Sequence, residues 1–116
     1  RICKKKQPKL ISNHTIFIAT KNDNHPKLTY KNEGRGGKVI YTDVISSISF
    51  DFEFGAGNCV AILFIPESSE WATSTGRKLE ERSAIIDFLA RQCLQDQLSS
   101  GYFRIYDRYI ELFRHE

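Results

Sequence analysis

The sequence predicts an α+β fold: a mainly antiparallel, strongly bent sheet packed by one C-terminal amphipathic helix, with a further strand or hairpin after it. Three observations carry this. Strand-like alternation recurs from residue 27 to residue 65 with only short polar interruptions, and strands joined by short connections pair antiparallel. Residues 79–98 repeat their apolar positions at three- and four-residue steps, the period of a helix with one buried face. A second β-rich stretch, residues 102–113 (YFRIYDRYIELF), follows that helix.

The elements run in order as follows. Residues 1–9 (RICKKKQPK) form a flexible basic arm, because like charges repel and Pro8 stops a helix. Residues 10–116 form a single α+β domain. Residues 15–21 (TIFIATK) are rich in β-branched side chains and read as a strand, ended by the turn cluster NDNHP. Residues 27–32 (KLTYKN) alternate, with Leu28 and Tyr30 on one face and Thr29 and Lys31 on the other. Gly34, Arg35, Gly36 and Gly37 make a flexible connection.

Residues 38–41 form a short strand that Thr42 and Asp43 break. Residues 44–54 (VISSISFDFEF) hold the cleanest alternation: Ile48, Phe50, Phe52 and Phe54 point one way, Ser47, Ser49, Asp51 and Glu53 the other. After the turn GAGN, residues 59–65 (CVAILFI) form a continuous apolar strand, buried on both faces or central in its sheet. Residues 66–76 read as a polar loop that contains Trp71. In the helix, Ile85, Ile86, Phe88, Leu89, Cys93 and Leu98 make the apolar face, and Glu80, Glu81, Asp87, Arg91 and Gln95 the other. Gly101 is the expected C-cap. Asp107 and Arg108 offer a turn that would fold residues 102–113 into a hairpin; a single bent strand is the alternative.

A chain of 116 residues with eight Phe, five Tyr and one Trp can bury a core of its own. Cys3, Cys59 and Cys93 are odd in number and widely spaced, which excludes a disulfide framework or zinc knuckle and favours a reducing compartment. His14, His25 and His115 show no ligand spacing. No nucleophile elbow, phosphate loop or other catalytic motif occurs. The chain is therefore read as a non-enzyme with no cofactor, no metal and no catalytic residue. It opens at Arg1 rather than Met, so it is read as a fragment or processed product. The expected location is cytoplasmic, membrane-associated, or tethered to a membrane by a segment upstream.

Residues 36–52 carry a resemblance. Gly37, Lys38, Val39, Ile40, Tyr41, Thr42, Asp43 and Val44, followed by Ile45, Ser46, Ser47 and Ile48, resemble the strand, Tyr-x-Asp-Ile/Val, strand pattern of bacterial pleckstrin-homology-like domains. The resemblance extends over residues 15–98 and implies a bent barrel closed by the C-terminal helix. It also implies a first hairpin that holds anionic headgroups, with Lys27 and Lys31 in the place of its spaced basic residues. An open antiparallel sheet without barrel closure is the alternative.

Charge divides the chain. Residues 1–38 carry ten Lys or Arg against two acids, and residues 39–116 carry seven against twelve. The candidate anion-binding residues are Lys4, Lys5, Lys6, Lys9, Lys21, Lys27, Lys31, Arg35 and Lys38. They suit an anionic membrane surface or an acidic protein, each cation near such a membrane contributing ~1 kcal/mol. The same arm could track nucleic-acid phosphates. The plain alternative is a lysine-rich strand edge that prevents aggregation. Tyr102, Tyr106 and Tyr109 form a candidate partner surface or homodimer contact, because aromatics concentrate in interface cores; ordinary strand packing is its alternative.

Overall fold

The computed structural model describes residues 25–115. The basic arm, the strand expected over residues 15–21, Cys3, His14, and Lys4, Lys5, Lys6, Lys9 and Lys21 lie outside these residues. Six strands form one antiparallel sheet: β1 (Lys27–Glu33), β2 (Gly36–Thr42), β3 (Ser47–Phe54), β4 (Cys59–Phe64), β5 (Gly101–Ile105) and β6 (Tyr109–Arg114). Their spatial order is β1-β2-β3-β4-β6-β5. Among the described residues the sheet does not close, with β1 and β5 at its edges, so the open sheet rather than a closed barrel is the architecture they form. Between β4 and β5 lie α1 (Ser68–Thr75), a 3₁₀ turn (Leu79–Glu81) and α2 (Arg82–Gln97).

Strand alternation decides which face is covered. Val39, Tyr41, Ile48, Phe50, Phe52, Leu63, Ile110 and Leu112 are buried on one side of the sheet. On α2, Ile85, Ile86, Leu89, Ala90 and Cys93 are buried. They recur at one- and four-residue steps, so they share the stripe that packs on the sheet. Tyr41 meets Phe88 edge-on, with ring centroids 5.8 Å apart. The opposite face carries the exposed Thr29, Lys31, Ser47, Ser49, Asp51 and Glu53.

Several expectations need correction. The polar loop expected over residues 66–76 contains α1, which presents the fully buried Trp71. Trp71 stacks on Phe50 at 6.5 Å and donates its indole N–H to the Lys78 carbonyl at 3.0 Å. Gly76 ends α1 with φ 75°, a left-handed position that glycine adopts without strain, and its N–H returns to the Ala72 carbonyl. The glycine-rich connection is a tight turn of Gly34 and Arg35, because Gly36 and Gly37 already pair in β2. β3 starts at Ser47 rather than Val44. β4 is central but not buried on both faces: Phe64 is 40% exposed. Gly101 opens β5, and the helix stops at Leu98 in an extended conformation. Residues 101–114 do form the hairpin, with Tyr106 N–H bonded to the Tyr109 carbonyl at 2.8 Å.

Candidate functional site

The turn between β2 and β3 is held from below by a single buried cation. Asp43 closes the turn itself: its N–H reaches the Ser46 carbonyl, and its Oδ1 accepts the N–H groups of Ile45 and Ser46 at 3.0 and 3.1 Å. Its Oδ2 accepts the Tyr41 hydroxyl at 2.9 Å. Arg77, from the connection after α1, forks onto both carboxylate oxygens at 3.1 and 2.8 Å. The same guanidinium donates to Ser46 Oγ at 3.2 Å and to Glu81 at 2.7 Å. Glu81 in turn accepts the Lys78 N–H at 3.1 Å. Arg77 is the only buried charged residue among the described ones.

The electrostatics follow from this geometry. The Arg77 guanidinium holds the Asp43 carboxyl well below the usual carboxylate range, and it lowers Glu81 as well. Burial, reinforced by the bond to Asp43, pushes the Tyr41 phenol up to about 12. The network is thus a fixed ionised cluster, with Tyr41 neutral at its edge.

Above this cluster the turn exposes two aliphatic side chains. Val44 is 70% exposed and Ile45 68%. Leu79, on the 3₁₀ turn between Arg77 and Glu81, is 52% exposed. Lys27, where the N-terminal segment enters the sheet, pairs with Thr42 at the base of the same turn. Residues 1–24 carry six Lys or Arg against one acid, whereas residues 25–115 carry eleven against twelve. The basic surplus of the chain thus precedes β1 in the sequence.

The sequence-predicted cations are only partly brought together. Lys31 and Lys38 are direct cross-strand partners, but Lys38 is ion-paired with Asp51. Lys27 lies at the far end of β1, and Arg35 sits in the turn at the opposite end of the hairpin. Tyr102, Tyr106 and Tyr109 share the uncovered face. Tyr102 stacks on Phe113 at 5.0 Å, and the Tyr106 and Tyr109 rings meet at a tilt with centroids 4.7 Å apart. Sequence reasoning missed Arg77, Val44 and Ile45; the break at Thr42 and Asp43 was the available signal for the last two.

A cavity of about 140 Å³ lies at the other end of the sheet, under the last turns of α2, lined by Tyr30, Phe52, Phe54, Val60, Cys93 and Gln97 among others. The Tyr30 hydroxyl donates to Asp96 at 2.6 Å and contacts Cys93 Sγ at 3.7 Å. Burial pushes the Cys93 thiol up to about 11 and raises Tyr30 as well, with the Asp96 bond adding to it. Both groups are held protonated at neutral pH, so neither is poised as a nucleophile or base. Among the described residues no three His, Cys, Asp or Glu side chains gather as a metal set, and no helix is long and apolar enough to cross a membrane. Comparison with known protein families, with curated proteins and with solved structures found no match.

Proposed function

We propose that this chain is a non-catalytic docking domain that meets an anionic membrane surface through the Val44–Ile45 tip and the basic residues that precede β1 in the sequence. The observation that carries the reading is the pinned tip. An exposed Val-Ile pair on a loose turn would collapse onto its own surface; here Asp43 and Arg77 fix the backbone beneath both side chains. A rigid apolar tip loses little conformational freedom on insertion. Burying two aliphatic side chains contributes roughly 1.5–3 kcal/mol each, and each cation next to anionic lipid adds ~1 kcal/mol. Residues 1–24 carry six Lys or Arg against one acid, and Lys27, the first residue of β1, pairs with Thr42 at the base of the tip.

Co-sedimentation of the full chain with phosphatidylserine-containing and pure phosphatidylcholine vesicles tests this. Binding is expected to the anionic vesicles alone and to weaken as salt rises. The paired change Val44→Asp and Ile45→Asp should abolish it, and Lys4→Glu with Lys5→Glu and Lys6→Glu should weaken it at least tenfold. Unchanged binding by the tip variant, or transfer of the protein to a competing nucleic acid, would overturn the reading.

A further inference from the structure

The uncovered face of the sheet is divided in chemistry. On β1 to β3 it is polar apart from the half-buried Ile40 on β2, as a solvent-facing sheet should be. Towards β4, β6 and β5 it carries Ile62, Phe64, Tyr102, Tyr106, Tyr109 and Phe113. Phe64, Tyr102 and Tyr106 are each 38–40% exposed. No described element covers them. Two aromatic clusters, Phe64 with Tyr109 and Tyr106 towards one end and Tyr102 with Phe113 towards the other, flank a row that holds Glu111 and Arg104, and exposed aromatics of this kind on an open sheet mark a contact surface.

We propose that this half of the face packs against the same half of a second copy of the chain. Charge selects that occupant. One row of in-register residues crosses four strands as Glu53, Ile62, Glu111 and Arg104. An acid stands at one end and a base at the other. A twofold axis parallel to the strands, between β4 and β6, reverses the row. Arg104 then lies over Glu53 of the second copy, and Glu53 under its Arg104. The same operation sets Phe64 over Tyr109, its in-register neighbour on β6, so aromatics meet aromatics. Face-to-face sheets pack about 10 Å apart, the distance that interdigitating side chains of this size fill. Arg104 rests over the Tyr102 and Phe113 rings at 5.8 and 5.3 Å, a shelf that orients the guanidinium and limits the freedom it loses on pairing. A polyanion fits less well: it would meet the Glu53 and Glu111 carboxylates in the same row.

The surface is separate from the Val44–Ile45 tip, and its test is independent. Sedimentation velocity of the full chain across micromolar concentrations is expected to show a dimer. Arg104→Glu and Glu53→Arg should each weaken it at least tenfold, and the double swap should restore it. Within one chain the two positions stand three strand spacings apart, about 14 Å, so the rescue cannot arise from an internal ion pair. Trp71 fluorescence checks that each variant is folded; if Arg104→Glu fails that check, Glu53→Arg at its exposed position still tests the pairing. A wild-type monomer throughout, a dimer indifferent to a folded single swap, or a folded double swap that stays monomeric would each overturn the proposal.

Discussion

Arg77 grips Asp43 across thirty-four residues of sequence, with Nη1 3.1 Å from Oδ1 and Nη2 2.8 Å from Oδ2. The pair joins the connection after α1 to the β2–β3 turn. The side chains are only 5% and 12% exposed, so water cannot take the place of either partner. The two-pronged geometry matches a planar guanidinium to a carboxylate, which fixes orientation as well as distance.

Loss of either member leaves the other charge buried. Arg77→Met is expected to lower stability by about 3 kcal/mol, in the range for breaking a buried ion pair. Asp43→Ala should cost a comparable amount, because it also frees the Ile45 and Ser46 N–H groups. The double variant should lose less than the sum, since neither orphaned charge remains. Urea denaturation of the three variants measures this, and strict additivity would show that the pair is not coupled.

The same cluster sets an acid limit. Asp43 and Glu81 have folded-state values below their unfolded ones because Arg77 favours their charged forms. Their contribution is complete above the unfolded carboxylate range near pH 4. It is lost as pH falls below that range, because the unfolded state then binds more protons. Unfolding free energy should therefore fall below about pH 4, with a shallower slope in Asp43→Asn. An equal slope in wild type and variant would place the acid sensitivity elsewhere.

Much of the sheet is legible in the sequence because period-two alternation is a local property: Ile48, Phe50 and Phe52 announce the buried face of β3 unaided. Helix α1 is not, because SSEWATST has no apolar period and only Trp71 is buried. The apolar run of β4 suggests burial on both faces or a central place in the sheet, and the central place is the one it takes. Its second face is apolar for a different reason, since Ile62 and Phe64 join the aromatic patch. The Arg77–Asp43 pair leaves no sequence signal at all. An arginine between a glycine and a lysine looks solvated until the fold brings an aspartate to it. The charge split is plain in the sequence, but the tip is hidden there, because the alternation of β3 reads on backwards over Val44 and Ile45.

Trp71 is fully buried against Phe50 of β3 and is the only tryptophan in the chain, so its fluorescence reports the packing of α1 on the sheet. Native emission is expected to be blue-shifted and to move red in a single cooperative step on unfolding. Trp71→Ala should cost 3–5 kcal/mol, roughly the range for truncating a buried aromatic. Trp71→Phe should cost less, retaining most of the ring contact while losing the bond to the Lys78 carbonyl. A red-shifted native spectrum would mean that α1 does not sit on the sheet.

Cys93 gives a test of the packing between α2 and the sheet. It is 1% exposed, and burial pushes its thiol up to about 11. At pH 8 the thiolate fraction is then about one part in a thousand, and the thiolate is the species that reacts. With Cys3→Ser and Cys59→Ser in place, Cys93 should react with a disulfide reagent only through opening of the fold. Its rate should rise with urea in step with the loss of Trp71 fluorescence. Raising the pH should speed the reaction about tenfold per unit below that value if the native thiol is attacked directly, and less if prior opening limits it. Tyr30→Phe removes the hydroxyl that contacts the sulfur and bonds Asp96, so it should accelerate labelling by loosening the end of α2 without unfolding the sheet. Labelling at the rate of a free thiol in native buffer would show that α2 does not cover this part of the sheet.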